Sequence, residues 1–63
     1  MYKVFMYATE EQYEELYEHL KMNGYTCYDA WLTDNCLEVG EEEICEVQTI
    51  LNDRNIKYRV VEY

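Results

Sequence analysis

Between Thr9 and Gly24 the chain reads TEEQYEELYEHLKMNG, and this stretch leaves little choice of structure. Tyr13, Leu16, Tyr17 and Leu20 recur at i, i+3, i+4 and i+7, the spacing that gathers side chains into one stripe of an α-helix. Glu11, Glu14, Glu15 and Glu18 fall on the opposite side. Thr9 is a natural N-cap, and Gln12 three residues on completes a capping box. Asn23-Gly24 supplies a left-handed stop. An amphipathic helix must lay its stripe on something, so the rest of the chain has to provide an apolar surface.

That surface reads as a sheet. Tyr2 to Tyr7 (YKVFMY) is aromatic and β-branched, with period-2 faces Tyr2, Val4, Met6 and Lys3, Phe5, Tyr7. Both faces are substantially apolar, as expected of a central strand. Tyr25 to Leu32 reads as a second strand, Asp34-Asn35 as a two-residue hairpin turn, and Cys36 to Val39 as the return strand. Such a turn pairs Leu32 with Leu37 and Ala30 with Val39, and places these four with Tyr28 on the helix-facing side. The other face then carries Cys27, Asp29, Trp31, Thr33, Cys36 and Glu38. Gly40 breaks the strand. Glu41, Glu42 and Glu43 open a second helix, where acids favour the positive end of the macrodipole. Its stripe is Ile44, Val47, Ile50 and Leu51, and Asn52 to Asn55 ends it. Ile56 to Tyr63 alternates as a last strand, with Lys57 and Arg59 on one face.

The order is β-α-β-β-α-β, an α+β chain. Right-handed crossovers put both helices on one face of a four-stranded antiparallel sheet. This element order resembles the ferredoxin-like split βαβ arrangement, a fold class that hosts many functions. The last strand falls at an edge, where Lys57 and Arg59 discourage further pairing. With 63 residues the chain reads as a single domain, 1–63, whose thin core buries about 60% of the unfolded surface.

Several chemistries are excluded. The two glycines stand alone, so a glycine-rich phosphate loop is ruled out. The chain has no serine to act as a nucleophile. It has no C-x-x-C, as metal-carrying relatives of this fold class have. Its first loop, Ala8-Thr9-Glu10, lacks the arginine of the phosphatase relatives. His19 reads as a solvated side chain. Cys27 and Cys36 share a face in the expected register but lie roughly 20 Å apart. The three cysteines therefore read as small, reduced, half-buried hydrophobes, with no disulfide, no metal and no cofactor. No signal peptide and no membrane span are read, which leads to a cytoplasmic, non-enzymatic protein.

Two surfaces remain as carriers of function. Fourteen acids against five bases give a net charge of -9, which repels nucleic acid and favours a basic protein partner. Glu11, Glu14, Glu15, Glu18, Glu42 and Glu46 form the expected acidic face, on helices covering the same side of the sheet. Like-charge pairs at i, i+4 cost a few tenths of a kcal/mol each, which leans towards a use for the charge, such as imitating DNA phosphates. The second surface is the open sheet face, read as Phe5, Tyr7, Trp31, Arg59, Val61 and Tyr63. Aromatic and arginine anchors of this kind suit a partner or a homodimer.

The expected function is a small acidic protein-binding module, such as a virus-encoded inhibitor of a nucleic-acid-handling or defence protein. The alternatives are a ligand-binding regulatory homodimer with a pocket near Asp29, Trp31 and Arg59, or a structural subunit of a larger assembly.

Overall fold

Each alternating segment forms a strand and each 3.6-period segment a helix in the computed structural model, which describes residues Met1–Tyr63. The elements are β1 (Tyr2–Met6), α1 (Glu10–Met22), β2 (Cys27–Ala30), α2 (Trp31–Asp34), β3 (Cys36–Val39), α3 (Ile44–Asp53) and β4 (Tyr58–Glu62). The fold is α+β, with three helices and one antiparallel sheet in the order β2-β3-β1-β4. β1 is central and β4 an edge, as the strand patterns imply.

The ends of α1 follow from their sequence. The Gln12 N–H donates to Thr9 Oγ1 (3.1 Å) and the Thr9 N–H donates to Gln12 Oε1 (2.9 Å), which closes the capping box. At the other end Gly24 takes φ +79°, a conformation that any side chain would strain. The Gly24 and Tyr25 amides turn back to donate to Lys21 and Leu20 carbonyls. Glu41 to Glu43 form a turn ahead of α3 rather than its first turn, with the Glu43 and Ile44 amides donating to the Gly40 carbonyl.

Tyr13, Leu16 and Leu20 of α1 and Ile44, Val47 and Leu51 of α3 share one buried cluster with Val4, Met6, Cys27, Leu37 and Val39 of the sheet. The five sheet residues belong to one face in the observed register. Both long helices therefore cover the same side, and the chain has one core.

The hairpin departs from the expected register. Ala30 pairs with Cys36, Asp29 with Leu37, and Cys27 with Val39. Trp31 to Asp34 fold into the short helix α2 instead of extending the strand. The Trp31 N–H donates to Asp29 Oδ1 at 3.0 Å. Asn35 stops the turn at φ 55°, its amide donating to the Trp31 carbonyl at 3.0 Å. The pairing slips by three residues, an odd number, so every β2 side chain changes face. Cys27 and Asp29 move to the helix side, and Tyr28 and Ala30 to the open side. Cys27 and Cys36 thus lie on opposite faces, correcting the expectation that they share one. Trp31 leaves the sheet altogether, and Leu32, expected in the core, is 90% exposed.

Two truncations separate the two registers. Leu37→Ala removes a fully buried side chain and should cost about 2–5 kcal/mol in urea unfolding. Leu32→Ala should stay within about 0.5 kcal/mol. A large loss at Leu32 would restore the two-residue-turn register.

Candidate functional site

The best-formed cavity, about 370 Å³, opens between α1 and the corner where β2 passes into α2. Helical spacing places Glu10, Glu14 and Glu18 in one row of α1, with Tyr13 and Tyr17 in the row beside it. Asp29 enters from β2, and Trp31 and Leu32 from α2. The lining contains four carboxylates and no cation.

The aromatic side chains form a layered wall. The Trp31 ring stacks on Tyr13 with centroids 4.5 Å apart and planes 18° apart. Tyr13 and Tyr17 lie nearly parallel at 6.1 Å. Lys21 sits over the Tyr17 ring at 5.5 Å. Tyr13 is 2% exposed, so its hydroxyl needs a protein partner. It donates to Asp29 Oδ1 at 2.5 Å, the oxygen that also accepts the Trp31 amide.

These contacts move two pKa values apart. The Tyr13 hydroxyl, and then the Trp31 amide, hold the Asp29 carboxyl below its usual value. Burial first, and then the bond to Asp29, pushes the Tyr13 phenol up. Asp29 contributes stability that is present above its unfolded value of about 3.9 and lost as pH falls through the folded one. Tyr13 contributes stability that is complete below about pH 10 and lost as pH rises through its folded value. Between these limits the carboxylate is ionised and the phenol neutral, which is what the bond requires.

The residues named from sequence divide between regions. Glu14 and Glu18 line the cleft, whereas Glu11 and Glu15 do not. Glu15 instead meets Arg54, the C-cap of α3, at 3.7 Å. Glu42 is exposed in the turn before α3, Glu46 is half-buried in that helix's first turn, and neither reaches the cleft. Phe5, Arg59 and Val61 share the open sheet face by register. The Arg59 guanidinium lies 5.1 Å over the Phe5 ring and the Lys3 ammonium 5.1 Å over Tyr63. The Tyr63 hydroxyl donates to Glu38, and Lys3 also meets Asp34 at 3.8 Å. Two charged side chains thus lie over rings of that face, while Tyr28, Val61 and Tyr63 stay exposed on it. Tyr7 lies beyond the end of β1 and is 76% exposed. Trp31, expected on the open face, belongs to the cleft on the other side. Of the three residues placed at a ligand pocket, Asp29 and Trp31 line the cleft and Arg59 lies across the sheet.

Sequence reasoning missed Glu10 as a lining residue and treated Tyr13 and Tyr17 as core alone. The available signal was the Asp29-x-Trp31 spacing, since aspartate often bonds the amide two residues on.

No three His, Cys, Asp or Glu side chains converge as a metal site requires. No helix is long and apolar enough to cross a membrane. Comparison with protein-family models, with curated proteins and with solved structures returned no match.

The three cysteines are free thiols; Cys27 and Cys36 are buried and Cys45 is exposed. Burial pushes both interior thiols up, away from the reactive thiolate. A colorimetric thiol assay should therefore consume one thiol quickly in native protein and the other two only in denaturant. Fast reaction of a second thiol would contradict the core assignment. At the cleft, Tyr13→Phe should raise the Asp29 midpoint towards about 3.9 in a carboxyl-carbon NMR titration. An unmoved midpoint would show that Tyr13 does not hold this carboxylate.

Proposed function

We propose that this chain is a small non-enzymatic binding module that docks a basic protein surface through the acidic side of α1. The observation that carries the reading is the concentration of unneutralised charge on that helix. Glu10, Glu11, Glu14, Glu15 and Glu18 are all exposed, and among them only Glu15 meets a cation. Fourteen acids face five bases over the whole chain, and only two ion pairs form. Like-charge pairs at Glu10–Glu14, Glu11–Glu15 and Glu14–Glu18 cost a few tenths of a kcal/mol each, a cost that a basic partner would offset. A row of carboxylates on a rigid helix also imitates a phosphate backbone, which suits an inhibitor of a nucleic-acid-handling protein. The open sheet face supports docking less well, because Lys3, Arg59 and Tyr63 already lie across it.

The scaffold proposed is the ferredoxin-like one. The antiparallel order β2-β3-β1-β4 and the single cluster shared by α1, α3 and one sheet face support it. On that plan α2 is an addition within the β2–β3 hairpin. Free thiols at Cys27, Cys36 and Cys45 suit a reducing compartment, and we place the protein in the cytoplasm.

The reading predicts that stability and binding separate. Replacing Glu11, Glu14, Glu15 and Glu18 together by Gln should leave thermal stability unchanged or slightly raised. The same variant should lose a basic partner that the unaltered protein captures from lysate at low salt and releases at high salt. A captured partner that the variant holds equally well, or one indifferent to salt, would overturn the reading.

A further inference from the structure

We propose that the cleft between α1 and the β2–α2 corner is a binding site for an arginine side chain of the partner, its guanidinium lying against the aromatic stack and pairing with Asp29. This inference rests on the docking function just proposed and specifies the contact at its centre.

The charge of the cleft selects the class of ligand. Glu10, Glu14, Glu18 and Asp29 line it with no cation among them, so an anion is repelled and a neutral apolar group leaves the carboxylates without counter-charge. Its volume, about 370 Å³, falls at the small end of ligand cavities and suits one side chain rather than a folded surface.

Asp29 is oriented in advance. Both of its hydrogen bonds from the protein, from the Tyr13 hydroxyl and the Trp31 amide, go to Oδ1. Oδ2 receives none. A carboxylate held by one oxygen, with the other free, accepts a cation without first ordering itself.

The stack distinguishes arginine from lysine. A guanidinium is flat, weakly hydrated and able to lie on an aromatic ring while its edge N–H groups reach a carboxylate. An ammonium has no flat face to present. The molecule makes this contact once already, on the opposite side of the sheet, where the Arg59 guanidinium lies 5.1 Å over Phe5. In the cleft Asp29 shares the lining with the Trp31, Tyr13 and Tyr17 rings. Tyr13 lies between the other two, and Lys21 lies over Tyr17 at the α1 end. No arginine of the chain is among them, which leaves the Trp31 end for the guanidinium.

Trp31 is the only tryptophan, so its fluorescence reads the cleft directly. The full chain is titrated at constant ionic strength with a capped pentapeptide bearing one central arginine. The same peptide with citrulline, which keeps the shape without the charge, and with lysine serve as comparisons. A saturable fluorescence change is expected with arginine, about tenfold weaker with citrulline and measurably weaker with lysine. Asp29→Asn should weaken the arginine response by a similar factor, whereas Glu42→Gln, outside the cleft, should leave it unchanged. Equal responses to arginine and citrulline, or none to either, would overturn the proposal. Lysine binding as tightly as arginine would overturn the guanidinium assignment. The peptide comparison in the unaltered protein needs no variant, so it decides the matter even if Asp29→Asn unfolds. A silent arginine peptide together with loss of the basic partner in the four-Gln variant would sink this inference alone. A responsive peptide with an undisturbed partner would sink the docking function and leave the cleft as an arginine site.

Discussion

One side of the sheet is all that this chain can cover, and much of its architecture follows from that limit. The buried cluster of 12 residues draws on α1, α3 and one sheet face, with Ile56 closing the end. No apolar segment is left over for a third layer. The opposite face is therefore handled by long side chains rather than by secondary structure. Arg59 lies over Phe5, Lys3 over Tyr63, and the Tyr63 hydroxyl reaches Glu38. Cation–ring contacts at exposed positions are worth roughly 0.5–1 kcal/mol each, far less than core packing. They shield apolar sheet surface while leaving the face polar to solvent.

The corner at Asp29 carries more of the structure than its exposure suggests. One carboxylate oxygen caps the amide that starts α2 and receives the phenol of a buried tyrosine from α1, 16 residues away. With that partner in place, no buried side-chain polar atom in the molecule lacks a hydrogen bond. The same corner swings Trp31 off the sheet and onto Tyr13. Hairpin register, completion of the core and formation of the cleft thus converge on one junction. A polar contact of this kind specifies which of two similar pairings the strands adopt, beyond whatever it adds to stability.

Much of this was legible in the residues. The stripe Tyr13, Leu16, Leu20 and the Thr9/Gln12 cap are local signals, and α1 follows them closely. The Ile44, Val47, Leu51 stripe and the two-sided pattern of β1 are equally local. The β2–β3 register was not, because Leu32 reads as a strand residue and Asp34-Asn35 as a turn until the Tyr13–Asp29 bond is known. That bond is long-range and invisible to a window of sequence. The candidate site was legible in the same proportion. Glu14 and Glu18 stood out as charge, and Trp31 and Asp29 as pocket residues, but on the wrong side of the sheet. Their meeting with Tyr13 and Tyr17 depends on the face reversal that an odd register shift causes.

The sheet order also sets when the parts of this molecule can come together. β1 is the first strand of the chain, yet its neighbours are β3 and β4, and its Tyr2 lies opposite Glu62. The central strand has no partner until β3 exists, and its second side stays open until the final residues do. Pairings this distant in sequence slow the search for the native state, since the loop must close before any contact rewards it. α1, by contrast, takes its hydrogen bonds and cap from neighbouring residues, so its turns can begin to form before the sheet, with the apolar stripe uncovered until the strands assemble. During that interval the crowd of glutamates on its other flank keeps unfinished chains apart by mutual repulsion.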